Sequence, residues 1–391
     1  MPAFSCVEPA IDPGARPTFL LDWELTLKCN LDCTYCATPT EVPLTEATHD
    51  NTSEHPDLDL CLKTIDFMYD YVDLYMRHKP RWTRSVVLNL YGGESLIHPD
   101  IVKILQQARI RHAPFAQKWP LTITCTTNAV IGHKRMQAVL PFIDEFTVSY
   151  HVESLKKQKT RVLDNLRLIQ ASHKKLKCIL LMHGNQQYWP ELLDVLDFCR
   201  DENIPYLARA LDGATNASYN THQINWFKNQ YLDAVPQKSQ KTQASAMQAL
   251  DQCQNDSVAL SEIGRACCGG RLMCQDTDLK HPIRFVPDNN FFGWQCSVNW
   301  FFLYVKQYTG EIFVNKDCRM SFDGTVSPIG YLNETDKLLT STKLRLDTNT
   351  MPVIECRKSL CICGLCAPKA RDKQTFKKIM VKHVDNVDRL L

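Results

Sequence analysis

Between residues 17 and 213, short apolar runs alternate with helix-patterned stretches in six β/α steps, and this alternation limits the fold more than any other feature of the chain. The strand-like runs are FLLDWELTL (19–27), SVVLNLY (85–91), LTITCTT (121–127), EFTVSYH (145–151), KCILLMH (177–183) and PYLARAL (205–211). Helical patterns near 59–78, 100–112, 133–141, 160–173 and 190–202 separate them. Such alternation predicts parallel strands joined by right-handed crossovers, and continuous apolar runs predict strands covered on both faces. A complete eight-unit barrel takes about 250 residues; six units in the shorter span point to a partial (β/α)6 TIM-type barrel, an α/β fold. In that architecture chemistry belongs at the carboxyl ends of the strands.

The rest of the 391 residues exceeds what one core holds, so further units are expected. Residues 1–16 carry three prolines and no periodicity and are expected to form an N-terminal arm. Residues 17–213 form the barrel and 214–285, rich in Asn, Gln, Ser and Thr, a bridging segment. Residues 286–391 are expected to form a cysteine-rich α+β domain. SVNWFFLYVKQYTGEIFV at 297–314 predicts a hairpin turning at Thr309-Gly310. A closing helix over 370–391 would place Phe376, Ile379, Met380, His383, Val384, Val387 and Leu390 on one face. The start of the chain lacks a signal-peptide pattern and no apolar run has the length of a bilayer, so a cytoplasmic protein without membrane contact is expected. With 45 Lys+Arg against 43 Asp+Glu, no basic surplus supports a nucleic-acid partner.

Eighteen cysteines in a chain without a secretory signal point to metal or redox chemistry rather than a disulfide framework. Three of them, Cys29, Cys33 and Cys36, form a C-x3-C-x2-C array just past the first strand. Zinc also takes closely spaced thiolates but normally closes four ligands, and no fourth Cys or His lies nearby in sequence. Three thiolates on a four-iron cluster leave one iron open to a substrate or cofactor. This loop, with the aromatic Tyr35 before its third cysteine, resembles the signature of the radical S-adenosylmethionine (SAM) superfamily.

The resemblance implies a [4Fe–4S] cluster whose open iron chelates SAM, reductive cleavage of SAM to a 5′-deoxyadenosyl radical, and abstraction of a substrate hydrogen. It extends to three further strand ends. Gly92-Gly93-Glu94 resembles the family's GGE motif, with Ser95 where proline is common. Thr127-Asn128 resembles its T-N-G, with Ala129 in place of glycine. Ser149 resembles a polar position that reaches SAM. Tyr35, Gly92, Gly93, Glu94, Asn128 and Ser149 are therefore candidate cofactor contacts, joined by His183 and Arg209 at the ends of the fifth and sixth strands. For Asn128 the alternative is an amide that satisfies loop backbone. For His183 and Arg209 it is a place in the core rim.

The second cysteine group places Cys296 before the hairpin and Cys318 after it, followed by Cys356, Cys361, Cys363 and Cys366. It resembles the SPASM/twitch extension of radical SAM enzymes, which implies at least one auxiliary [4Fe–4S] cluster on these six residues. The interval from Gly310 to Cys318 and the C-x4-C-x-C-x2-C spacing depart from the usual pattern, and zinc remains an alternative. Cys267, Cys268 and Cys274 could complete a second auxiliary cluster. The resemblance implies oxidation or cross-linking of a peptide or protein side chain, with a reducing partner such as flavodoxin or ferredoxin. A barrel beginning near residue 17 leaves peptide recognition to a separate protein or to residues 214–285. A dehydrogenase or epimerase acting on a small molecule is the nearest alternative, with Cys267 or Cys268 as hydrogen donor. A zinc-binding interaction protein is the non-enzymatic one.

Overall fold

The computed structural model describes residues 18–36, 53–78, 85–211, 219–223, 225–227, 293–315, 319–348, 353–356, 369–370, 372–374 and 376. Cys267, Cys268, Cys274, Cys318, Cys361, Cys363 and Cys366 lie outside them, as do the 1–16 arm, most of 214–285 and all of the expected closing helix except parts of its first turns.

The six expected strands are β1 (Thr18–Thr26), β2 (Ser85–Gly92), β3 (Leu121–Thr127), β4 (Glu145–Tyr150), β5 (Lys175–Met182) and β6 (Tyr206–Ala210). They pair in parallel in chain order. The crossovers contain α1 (Leu58–His78), α2 (Ile101–His112), α3 (His133–Val139), α4 (Lys156–Ala171) and α5 (Trp189–Asp201). Asp57 caps α1 by accepting the Leu60 N–H at 2.7 Å, one of the donors that a helix start leaves unpaired. One sheet face is apolar: Phe19, Leu21, Trp23, Leu25, Leu90, Ile123 and Val148 are fully buried. Phe19 meets Tyr71 and Tyr75 of α1 edge-on, which marks this as the helix-covered side.

The opposite face differs from the doubly apolar strands expected. Asp22, Asn89 and Thr124 stand in register across β1, β2 and β3. Asn89 Nδ2 donates to Asp22 Oδ1 at 2.5 Å and Thr124 Oγ1 to Asn89 Oδ1 at 2.8 Å. A row of mutually hydrogen-bonded side chains is tolerated in an interior where isolated ones are not.

The C-terminal hairpin joins this sheet. β8 (Phe302–Lys306) and β9 (Glu311–Phe313) are antiparallel, and β8 lies parallel against β1, with Asp22 opposite Tyr304. The sheet order is β10-β9-β8-β1-β2-β3-β4-β5-β6, where β10 is Gly330–Tyr331, so the sheet crosses the boundary read at residue 286. Two side-chain ties fasten the hairpin: the buried Trp23 Nε1 donates to Gln307 Oε1 at 2.8 Å, and Tyr304 Oη donates to the half-buried Glu24 Oε2 at 2.5 Å. The helix α6 (Thr335–Thr348) follows, and its Asp347 accepts from His78 Nε2 of α1 at 2.9 Å. β6 and β10 are the sheet's edges, and no ladder between described residues closes it into a full barrel.

A second sheet is small. β7 (Gln295–Cys296) lies between β11 (Ile354–Glu355) and β12 (Lys369–Ala370), both antiparallel to it. Cys296 thus lies in this small sheet, ahead of the hairpin strands β8 and β9. It faces Ile354, while the Cys356 N–H donates to the Trp294 carbonyl at 2.8 Å, which sets the two buried cysteines a diagonal step apart. Of the described helices, none is long and apolar enough to cross a membrane.

Candidate active site

The carboxyl ends of β1, β2, β3 and β4 meet at a cavity of about 170 Å³ lined by Cys29, Cys33, Cys36, Gly92, Gly93, Asn128, Ser149 and His151, with Leu31, Thr126 and Thr127. Parallel strands deliver their loops to one edge, which brings residues over a hundred positions apart together.

The cysteine loop is seated on β2 by backbone contact. Gly93 N–H donates to Thr26 O at 2.7 Å and Glu94 N–H to Lys28 O at 2.8 Å. A Cβ on Gly93 would stand 2.3 Å from Leu27 O and 2.4 Å from Lys28 O, and one on Gly92, where φ is +138°, 2.2 Å from Thr26 O. The absent side chains thus admit the chain's own cysteine loop, and both glycines also line the cavity.

Glu94 is turned away from the cavity and fully buried. Its carboxylate accepts from the Asn128 N–H at 2.6 Å, the Leu96 N–H at 3.0 Å and Thr127 Oγ1 at 2.8 Å. Burial lifts its pKa from 4.5 to about 6 against these hydrogen bonds, which favour the charged form. Ser95, in the place of a proline, is buried and donates to Tyr91 O at 2.8 Å.

Asn128 touches the loop it faces: Nδ2 donates to Asn30 Oδ1 at 2.8 Å and lies 3.6 Å from Cys29 Sγ, while Oδ1 accepts the Val130 N–H at 2.8 Å. Ala129, at the expected glycine position, has φ +54°. Asn165 Nδ2 holds that turn through Ala129 O at 2.8 Å and Ile131 O at 2.9 Å.

The far side of the cysteine loop meets residues that no sequence motif marks. His151 Nδ1 lies 3.3 Å from Cys33 Sγ and 2.9 Å from Tyr35 Oη, with the Tyr35 and His151 rings stacked at 3° and 5.9 Å between centroids. Glu153 accepts both the Thr34 N–H, at 2.8 Å, and Thr34 Oγ1, at 2.7 Å. Two residues beyond Ser149 on an alternating strand is the same face, so a signal for His151 was available. Glu153 lies past the strand and has none.

His183 is buried behind Tyr35, their centroids 6.0 Å apart, and its Nε2 faces Glu153 Oε1 at 3.4 Å. Its Nδ1 accepts the Asn185 N–H at 2.9 Å. Burial lowers its pKa, so the neutral ring with the proton on Nε2 matches both contacts. Arg209 is half-buried on β6, opposite Leu181 of β5 and away from the cavity lining.

The three thiols suit a metal cluster by their chemistry. Burial pushes Cys29 up to about 11 and Cys33 up to about 12, and the nearby Cys36 sulfur disfavours charge on both. They become thiolates only beside compensating positive charge, which a metal supplies. Among the described residues no three Cys, His, Asp or Glu side chains stand together as ligands of one ion. The sulfurs of a tetrahedral zinc site are only about 3.8 Å apart, given Zn–S bonds of about 2.3 Å.

No family model matches the chain, and no curated protein does. Solved structures similar to it include Streptococcus suis SuiB bound to S-adenosylmethionine, at 14% identity and TM-score 0.41 over 84% of this chain and 68% of that one. Another is anSMEcpe with bound AdoMet and Kp18Cys peptide, at 13% identity and TM-score 0.46 over 95% of this chain and 97% of that one. BtrN in complex with AdoMet and 2-DOIA aligns at 12% identity and TM-score 0.25 over 48% of this chain and 87% of that one. Likeness at these identities and scores assigns no activity to this chain, and the functional reading rests on its own residues.

Proposed function

We propose that the chain is a radical SAM enzyme whose Cys29, Cys33 and Cys36 hold a [4Fe–4S] cluster with one iron left for SAM. The observation that carries this is the convergence of three thiols on one cavity with Gly92, Gly93, Asn128 and Ser149, from the ends of four parallel strands. When bound, the cluster and SAM supply a 5′-deoxyadenosyl radical that abstracts a substrate hydrogen. The chain's residues position and shield that chemistry. Gly92 and Gly93 seat the cysteine loop, Glu94 and Asn128 lock the β2 and β3 loops to it, and Ser149 faces the cavity where SAM would lie.

Cys296 and Cys356, both buried and a diagonal step apart across the small sheet, support an auxiliary cluster completed by Cys318, Cys361, Cys363 and Cys366. β11 and β12, which flank Cys361, Cys363 and Cys366 in sequence, both pair with the strand of Cys296. An auxiliary electron carrier suits oxidation or cross-linking, and we assign a peptide or protein side chain as substrate. A flavodoxin- or ferredoxin-type donor would supply electrons, and a separate recognition protein could present the peptide.

The deciding experiment is anaerobic incubation of iron-loaded protein with dithionite and SAM. 5′-Deoxyadenosine is the expected product, and its absence from protein carrying full iron and sulfide would sink the reading. A second reading starts from one contact: His151 Nδ1 lies 3.3 Å from Cys33 Sγ, and Cys and His are the donors zinc takes, although among the described residues no three such side chains stand together as ligands of one ion. Protein that binds zinc, lacks visible absorbance and cannot be loaded with iron would establish that alternative.

A further inference from the structure

We propose that His151 and Tyr35 act as a hydrogen-bond pair on the sulfur of Cys33 and thereby raise the reduction potential of the cluster that Cys29, Cys33 and Cys36 would hold; the inference rests on the radical SAM reading. Three atoms form a compact triangle: His151 Nδ1 is 3.3 Å from Cys33 Sγ and 2.9 Å from Tyr35 Oη, and the phenol lies within hydrogen-bonding reach of the same sulfur. A metal-bound thiolate has no proton and only accepts. Either Nδ1–H donates to sulfur directly, or it donates to Oη and the phenol O–H donates to sulfur. In the remaining tautomer, with its proton on Nε2, Nδ1 would accept the Tyr35 O–H at 2.9 Å and stand as an unprotonated nitrogen 3.3 Å from the thiolate, which would then receive a donor from neither residue.

Both arrangements with the proton on Nδ1 end on Cys33, and a thiolate there favours them over the third; the parallel stacking of the two rings holds the pair in place. One-electron reduction adds negative charge to the cluster and its thiolates. Donors to sulfur stabilise that added charge and move the potential upward. Cys29 receives comparable contacts from the Leu31 N–H at 3.4 Å and Asn128 Nδ2 at 3.6 Å. His151 and Tyr35 are thus positioning residues that act through Cys33, without a reacting atom of their own.

The test uses the full-length, iron-loaded protein and EPR-monitored reductive titration, with the signal altered by SAM assigned to this cluster. Tyr35→Phe and His151→Phe keep the aromatic stack and remove one donor each, and His151→Gln restores an N–H. At unchanged iron and sulfide content, the midpoint potential should fall in both Phe variants and recover part-way in His151→Gln. Fully loaded variants with the wild-type potential overturn the inference. If His151→Phe fails to load, Tyr35→Phe decides alone, and an unshifted potential there overturns it equally. Wild-type protein that takes zinc and no iron overturns the radical SAM reading, a separate and distinguishable failure.

Discussion

The carboxylate of Glu94 accepts the backbone N–H of Asn128 at 2.6 Å, and the Asn128 amide in turn donates to Asn30 at 2.8 Å. Three strand-end loops are therefore one hydrogen-bonded unit around the cysteines, and it hangs on a single buried acid.

Truncation of that acid should be costly. Glu94→Ala strands the N–H groups of Asn128 and Leu96 and the Thr127 hydroxyl in a dry interior, and each loss is about 1–3 kcal/mol. Urea denaturation should show at least about 3 kcal/mol of destabilisation; a change below about 1 kcal/mol would mean that the loops stand without it.

Glu94 also predicts a pH signature. Its folded pKa of about 6 lies above the ordinary 4.5, so the protonated form is favoured in the fold. Its contribution is fully present below pH 4.5 and is lost as pH rises through 6. From about pH 4 to about pH 7 the wild type should lose about 2 kcal/mol relative to Glu94→Gln, at about 1.4 kcal/mol per pKa unit. Parallel stability–pH curves for the two proteins would contradict this.

Gly93→Ala should displace the cysteine loop, because the new methyl would meet two backbone carbonyls that no rotamer change can move. We expect a loss of about 2 kcal/mol or more and reduced iron incorporation. Gly132→Ala is the control: nothing lies within 4 Å of its Cβ position, and as a helix N-cap it should change stability by no more than about 1 kcal/mol. Equal effects at the two sites would rule out the steric account.

Ala129 occupies left-handed backbone at φ +54°, which disfavours any residue with a Cβ by about 1–2 kcal/mol. Against the chain-entropy cost of glycine, Ala129→Gly should gain about 0.5–1 kcal/mol, whereas β-branched Ala129→Val should lose about 2 kcal/mol or more. Thermal unfolding of both variants checks the opposite signs.

Tyr304→Phe removes the hydroxyl that ties the C-terminal hairpin to Glu24 of the first strand. A hydrogen bond to a charged acceptor contributes about 1.5–3 kcal/mol, so a drop of that size in denaturant stability is expected. No change would show that the β1–β8 ladder and the Trp23–Gln307 bond hold the hairpin alone.

The amino-acid order by itself determined the parallel α/β sheet, since apolar runs at strand length alternating with helical periodicity have few other ways to bury themselves. It also marked Cys29, Cys33, Cys36, Gly92, Gly93, Asn128 and Ser149, because strand ends in such a sheet share one edge. Only the tertiary structure decided what these residues touch. The glycines admit the chain's own loop as well as lining the cavity, Glu94 is fully buried, and His151 and Glu153 reach the cysteine loop across more than a hundred positions. The joining of β8 to β1 and the placing of Cys296 in a separate small sheet were likewise invisible. Local pattern reports which face a residue wants. Which loop lies against it depends on how the strands line up, and that is settled only when all of them pack together.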